Sequence, residues 1–575
     1  MTHSRFWPLY MVCAVFGGLI LTLGWWGYTH LWNAPGCAGN YELVIRNGMV
    51  LDGMGGAPFP ADIAISSGRV ACIGSVKKSP GERGIEAAGM MVAPGFIDVH
   101  THVERNLPEG STPFLAPNFV RQGVTTIITG NCGSSTLGVR TMLNGLDRSG
   151  SQVNVATFVG HNSIRRSVMQ RANRTPTAQE LRQMRQAVVM AMDEGALGLS
   201  TGLAYIPGTY SQTEEVVELA RAAAEREGLY VSHIRDEGRD GLAAVKEAID
   251  IGEQAGLPVH ISHFKASGRG EWGKASQRLE LVDAALSRGQ RVTIDQYPYT
   301  ASSTSLDLLL PSWALEGSQA EVGQRMRNPQ NHARIRSEML ARLSQGGWAD
   351  YSFARIAYCS ANLALNGLTI PQVSSVGTHH TATGKNSAPQ PQPHIVTRTT
   401  AESQGGDISV ERQADTILDL IARGGAQMIY FDMDEGDLSA IMRHPDTMFG
   451  SDSAVRYEDT KAVPHPRGLG TFPRVLSHYV RETDTLSLGE AVRRMTSLSA
   501  KTFGFPDRGQ ISVGYWADLV IFSEQSILDK STYEMPLAAP EGIPYVIVNG
   551  QIVFDNYRFT GINPGKTIRR GLASQ

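Results

Sequence analysis

Between residues 95 and 452 the chain repeats one pattern: a short apolar run ends in polar residues, and a longer stretch follows it. The apolar runs lie at 95–100, 125–130, 153–159, 196–200, 229–233, 258–263, 291–297 and 447–452. Runs this short and continuous suit strands of a parallel sheet covered on both faces. Residues 213–227 and 241–255 have the pattern of intervening helices. Eight strands alternating with helices is the count for an α/β fold of the (β/α)8 type, a TIM-like barrel whose chemistry collects at the strand C-termini. The gap between the seventh and eighth runs must hold extra elements, including apolar segments at 353–357 and 428–431. Within that gap, 371–406 is rich in Ser, Thr, Pro, Gln and Gly and reads as an inserted flexible loop.

Outside this region the pattern changes to short β segments separated by Gly and Pro turns. They lie at 43–45, 62–65 and 70–73, and again at 517–522 and 545–554. The two chain ends are therefore expected to combine into one small β-sandwich domain. The predicted organisation assigns 40–92 and 506–575 to this domain and 93–505 to the barrel.

Residues 1–39 stand apart. From Phe6 to Tyr41 there is no Asp, Glu, Lys or Arg. The part from Pro8 to about Tyr28 is apolar and long enough for a transmembrane helix across a bilayer of roughly 30 Å. Trp7 and Tyr10 flank one end, and Trp25, Trp26, Tyr28 and Trp32 the other, where amphipathic rings favour the headgroup region. Arg5 precedes the run and the next basic residue is Arg46, a bias that puts the N-terminus in the cytoplasm. The expectation is a membrane-anchored chain with a periplasmic or otherwise extracytoplasmic catalytic part. A cleaved signal peptide is the rival reading, although the run is long for one and no clean small-x-small site follows it.

Composition changes this picture little. Hydrophobic residues make up 42% and charged residues 19%, as in ordinary globular chains. The formal charge of −3 carries no basic block, so there is no electrostatic case for nucleic acid. The five cysteines are scattered in a long chain without C-x-x-C spacing and are expected to be small buried hydrophobes rather than a disulfide framework. Cys132 is the exception.

Candidate chemistry gathers at the predicted strand ends. His100 and His102 are two residues apart, so on a strand both imidazoles face one side. His233 ends the fifth run, His263 the sixth and Asp452 the eighth, while Cys132 follows the second. Imidazole, thiolate and carboxylate are the donors zinc prefers, and a barrel makes these six side chains converge. A bound metal polarises a carbonyl and lowers the pKa of water towards roughly 7. An amide further needs a carboxylate that takes a proton from water and passes it to the leaving nitrogen, and Asp452 is the free carboxylate placed for this. Arg467 offers a guanidinium suited to bidentate binding of a carboxylate.

The segment Ala93-Pro94-Gly95-Phe96-Ile97-Asp98-Val99-His100-Thr101-His102 resembles the first-strand motif of the metal-dependent amidohydrolase superfamily. A more specific resemblance, to the N-acyl-D-amino-acid deacylases (D-aminoacylases), runs through Gly130-Asn131-Cys132-Gly133 and Ser232-His233-Ile234-Arg235-Asp236-Glu237. It continues through Ile261-Ser262-His263-Phe264-Lys265, Gln296-Tyr297-Pro298-Tyr299, Gly450-Ser451-Asp452 and Pro464-His465-Pro466-Arg467. The resemblance implies Zn2+ held tightly by Cys132, His233 and His263, with His100 and His102 forming a second, weaker site. It implies Asp452 as the catalytic acid/base, and Lys265, Tyr297 and Arg467 as binders of the substrate's α-carboxylate. Arg235, Asp236 and Glu237 are read as a structural ion-pair network. The expected activity is zinc-dependent hydrolysis of N-acyl-D-amino acids. A cyclic amide, a dipeptide with a D-residue or a lactone is an alternative substrate, and a non-enzymatic scaffold an alternative role. Phe264 stands where relatives often have a second His, and the 371–406 stretch resembles an insertion, which leaves substrate choice open.

Overall fold

The first barrel strand, Phe96–Asp98, begins a closed parallel ring. It is followed by Val124–Thr129, Asn154–Thr157 extended by Val159–Gly160, Gly198–Gly202, Leu229–His233, Val259–Ile261, Val292–Gln296 and Thr447–Phe449. Almost every residue of these strands is buried, as strands covered on both faces require. Neighbours pair in parallel from the first strand round to the eighth. The ring closes between the eighth strand and the first: the Asp452 N–H donates to the His100 carbonyl at 2.8 Å, and the His102 N–H to the Ser453 carbonyl at 2.9 Å. Gly450 permits this approach, because a Cβ there would lie 2.5 Å from the His100 Cβ. The result is the expected (β/α)8 barrel.

This computed structural model describes residues 37–78, 82–107, 111–376, 408–457 and 460–570. The predicted N-terminal span and most of the 371–406 stretch lie outside the described residues. Among the described residues no helix is long and apolar enough to cross a membrane. Residues 371–376 correct the expected loop, since they belong to the helix Ile370–Val376, which buries Ile370 and Val373. The rest of the insertion between strands seven and eight is a small layered unit. Ser302–Ser305, Gln427–Tyr430 and Ala354–Tyr358 form an antiparallel sheet, packed with helices that include Pro329–Gln345 and Val410–Ala422 around one apolar core.

Both chain ends join one sheet. Met91–Pro94 pairs antiparallel with Leu519–Phe522, which pairs in turn with Tyr545–Val548 and then Gln551–Asp555. The expectation of a sandwich is corrected in one respect: the nine strands are hydrogen-bonded into a single branched sheet. It forks at Leu43–Val50, whose first half pairs with Arg83–Glu86 and whose second half pairs with Met91–Pro94. Asp518 ties this sheet to the barrel. Its carboxylate accepts from Asn154 Nδ2 on the third barrel strand at 3.1 Å and from the Asn549 N–H at 2.7 Å, and it pairs with Arg508.

A second correction concerns the cysteines. Cys37 and Cys72 are joined in a disulfide with 6.1 Å between their Cα atoms, so they are not independent buried thiols. The bridge ties residue 37 to the strand Arg69–Gly74, beside a hydrogen bond of 3.0 Å from the Cys37 N–H to the Ser75 carbonyl. A loop of 35 residues closed in this way restricts the unfolded chain by about 2–4 kcal/mol. Cys72→Ser should lower unfolding stability by that amount in urea titrations, and reductant should do the same to the unaltered protein. An unchanged midpoint in both experiments contradicts the assignment.

Candidate metal centre

Cys132 owes its position to a tight turn after the second barrel strand. Gly130 and Gly133 adopt φ of 79° and 74°, and Cys132 itself sits at φ 51°. A Cβ on Gly130 would lie 2.4 Å from the Phe158 carbonyl oxygen, and one on Gly133 2.2 Å from Asn162 Oδ1, so only glycine fits either place. Ser200, on the fourth strand, clasps both sides of the turn. Its hydroxyl donates to the Gly130 carbonyl at 2.5 Å and accepts from the Gly133 N–H at 3.2 Å. Glu104 accepts from the Gly130 N–H at 2.5 Å. His263 and Asp452 also hold left-handed backbones, at φ 34° and 47°. Three non-glycine residues in that region cost on the order of 1–3 kcal/mol each, and such conformations concentrate where function demands them.

The turn aims the thiol at the barrel axis. Cys132 Sγ lies 3.3 Å from His100 Nε2, 3.4 Å from His263 Nε2 and 3.7 Å from His233 Nδ1. His233 Nδ1 and His263 Nε2 are 2.8 Å apart. In a tetrahedral zinc site, sulfur and nitrogen ligands stand about 3.6 Å from each other and two nitrogens about 3.3 Å. The sulfur–nitrogen edges fit, and a small outward shift of one imidazole completes the match. A second donor group shares His100: His102 Nε2 is 3.0 Å and His100 Nε2 3.7 Å from Asp452 Oδ1. All five predicted ligands and Asp452 thus converge.

Protonation favours a cation here. Burial, with the nearby charge of Asp452, pushes the Cys132 thiol well up, so a neighbouring cation is what would release its proton. Burial pulls His233 well below its usual value and lowers His263, with Lys265 adding to both, so each imidazole stays neutral and free to ligate. Burial works against the charge of Asp452. Arg467, whose Nη1 lies 2.8 Å from Oδ2, together with His100 and the His102 hydrogen bond, nevertheless holds it well below the usual carboxylate range.

The predicted carboxylate binders also meet. The Arg467 guanidinium lies 4.6 Å from the Tyr297 ring centre and Lys265 Nζ 5.7 Å from it. Lys265 Nζ is 2.5 Å from Glu237 Oε1 and 2.9 Å from His263 Nδ1. The charged triplet 235–237 splits. Arg235 pairs with Glu247 at 2.8 Å and Asp236 accepts from the Gly238 N–H at 2.7 Å, as structural residues do. Glu237 instead turns inward, 2.8 Å from His263 Nδ1, which corrects its assignment to that network.

Other residues went unnoticed in the sequence. Asp295 accepts from the His263 N–H at 2.9 Å and stands 3.3 Å from His100 Nδ1 and 2.7 Å from His260 Nε2, bracing three strands. Asp98, pushed by burial to about 7 despite its hydrogen bonds, accepts from the Ser451 N–H at 2.9 Å. The Tyr205 ring packs 4.5 Å from that of His233. Their only sequence signal is a polar residue in or just after a barrel strand.

A centre of this kind polarises a carbonyl and activates water, so fold and donors together place the chain among metal-dependent hydrolases built on a barrel. Residues 83–554 match the amidohydrolase family, to which the chain belongs. It is 32% identical to the D-aminoacylase of Alcaligenes xylosoxydans xylosoxydans, over 93% of this chain and 98% of that one. It is 33% identical to the N-acyl-D-glutamate deacylase of the same organism, over 92% and 96%. It also resembles the crystal structure of N-acyl-D-glutamate deacylase from Bordetella bronchiseptica complexed with zinc and a phosphonate inhibitor. The TM-score is 0.73, with 31% identity over 92% of this chain and 100% of that one.

Replacing Cys132 by Ser, which keeps the shape of the turn, should weaken zinc binding by more than about 100-fold. Equilibrium competition with a chromophoric chelator measures this, and unchanged affinity would remove Cys132 from the centre.

Proposed function

We propose that the chain hydrolyses the amide bond of N-acyl-D-amino acids, releasing a D-amino acid and a carboxylate. The observation that carries this reading is two cations, Lys265 and Arg467, packed over Tyr297 and within hydrogen-bonding reach of His263 and Asp452 respectively. They offer the substrate's α-carboxylate a fixed place beside the hydrolytic groups. Similarity to deacylases of D-configured substrates supports the stereochemistry.

Cys132, His233 and His263 would hold zinc, which would polarise the acyl carbonyl and lower the pKa of water. His100 and His102, with Asp452, offer a second, weaker place. Arg467 holds Asp452 Oδ2, so Oδ1, which faces the His102 and His100 imidazoles, is the atom that handles protons. Oδ1 takes a proton from the attacking water and returns it to the departing nitrogen. Lys265 and Arg467 fix the α-carboxylate, and Tyr205 beside His233 walls the site, so the stereocentre is presented in one hand.

The test is a panel of N-acetyl-D- and N-acetyl-L-amino acids with the zinc-loaded protein. D-substrates should be cleaved at least about 100-fold faster than their enantiomers. Asp452→Asn should keep its zinc and lose about 10²–10⁴-fold in kcat. Equal rates for both hands, or full turnover without the carboxylate, defeats the proposal.

We infer that the N-terminal apolar segment anchors the chain with the catalytic part outside the cytoplasm. The uncharged run from Phe6 to Tyr41 supports this, as does the Cys37–Cys72 bridge, because disulfides persist in oxidising compartments. Expressed in a Gram-negative cell, the protein should sediment with membranes and be cut by protease added to spheroplasts. Recovery in the soluble cytosol overturns the inference.

A further inference from the structure

Glu237 stands between a metal ligand and a cation. His263 Nδ1 has two partners, Glu237 Oε1 at 2.8 Å and Lys265 Nζ at 2.9 Å, and these partners are themselves 2.5 Å apart. Nδ1 satisfies only one of them in a given tautomer. If it accepts a hydrogen bond from Lys265, the proton of the neutral ring sits on Nε2. Nε2 is the atom 3.4 Å from Cys132 Sγ and 2.8 Å from His233 Nδ1, and in that tautomer it has no lone pair for a metal. If Nδ1 donates to Glu237, Nε2 is free to ligate.

Resting on the zinc-centred reading above, we propose that Glu237 is a positioning residue that sets the His263 tautomer and draws the Lys265 ammonium away from the ring. A carboxylate that accepts from the far nitrogen of a ligating imidazole fixes the orientation of the ring and raises its basicity. The surroundings of Glu237 suit that role. It is largely buried among His263, Lys265 and His233, with Oε1 against both the His263 Nδ1 and the Lys265 ammonium. Lys265 is then a competitor that Glu237 restrains, as well as a group available to an anionic substrate.

A cycle of variants of the full-length protein in detergent tests this, read by zinc affinity from chelator competition. Intensity of the cobalt–thiolate charge-transfer band of the cobalt-loaded protein is the second readout. Glu237→Gln should weaken zinc by about 10–100-fold. Lys265→Met alone should leave affinity at or above the starting value. The double variant should recover most of the loss, because the amide oxygen can accept from Nδ1 once the ammonium is gone. Glu237→Asp, which withdraws the carboxylate by one methylene, should show a smaller loss that Lys265→Met also repairs, and it serves where the amide variant does not fold. Affinity within twofold after Glu237→Gln overturns the proposal. So does a loss that Lys265→Met leaves unrepaired, as would follow if Glu237 were itself a ligand. Failure of the unaltered protein to bind zinc sinks the hydrolase reading instead.

Discussion

A thiol must reach the axis of the barrel, and everything at the mouth depends on the backbone that brings it there. Cys132 manages this from a left-handed conformation that a side-chain-bearing residue adopts at a cost. Glycines on either side allow the turn to touch Phe158 and Asn162, and Ser200 and Glu104 lock it by hydrogen bonds to its backbone. Residues on or following the first, third and fourth strands therefore supply the restraint that one residue needs. His263 and Asp452 repeat the arrangement, each strained and each held by a neighbouring strand, His263 through Asp295 and Asp452 through the His100 carbonyl. The centre is a place where the barrel's hydrogen bonding overrides local preference.

Barrel closure and metal site are the same event. The hydrogen bonds that join the eighth strand to the first are made by His100, His102, Asp452 and Ser453, so the ring cannot close without bringing imidazoles and carboxylate together. The sheet built from both chain ends secures the first strand in turn. Met91–Pro94 pairs with Leu519–Phe522 and passes directly into Phe96, and the Gly95 N–H donates to the Asp518 carbonyl at 2.8 Å. Asp518 is buried against Arg508, Asn154 and Asn549. Removing one partner of such a buried pair costs about 3–5 kcal/mol, because it leaves the other charge buried and unpaired.

The ligands were legible because a barrel turns sequence position into spatial position. A polar residue that ends an apolar run on a parallel strand lies at the mouth, and that rule alone put His100, His233, His263 and Asp452 in one place. What was not legible depends on which way a side chain turns. Arg235, Asp236 and Glu237 are three adjacent charges with one appearance in the sequence. Arg235 turns out to Glu247, Asp236 folds back on Gly238, and only Glu237 enters the site. Asp295 and Asp98 sit within strands read correctly as strands, and nothing local distinguishes a carboxylate that braces its neighbours from one that faces a ligand. The Cys37–Cys72 bridge joins residues 35 apart without a spacing motif. At 371–376, Ser and Pro pointed to loop, while burial of Ile370 and Val373 against the inserted helices favoured helix.

Charge explains why these groups tolerate one another. Asp452, Glu237 and Asp295 crowd the buried space around Cys132, with Lys265 and Arg467 among the cations set against them. A divalent cation would favour the thiolate, which burial and the nearby carboxylates otherwise disfavour. Under the proposed reading, an incoming α-carboxylate would share guanidinium donors that already hold Asp452 Oδ2. On the proposed function, substrate recognition and proton transfer therefore draw on the same arginine.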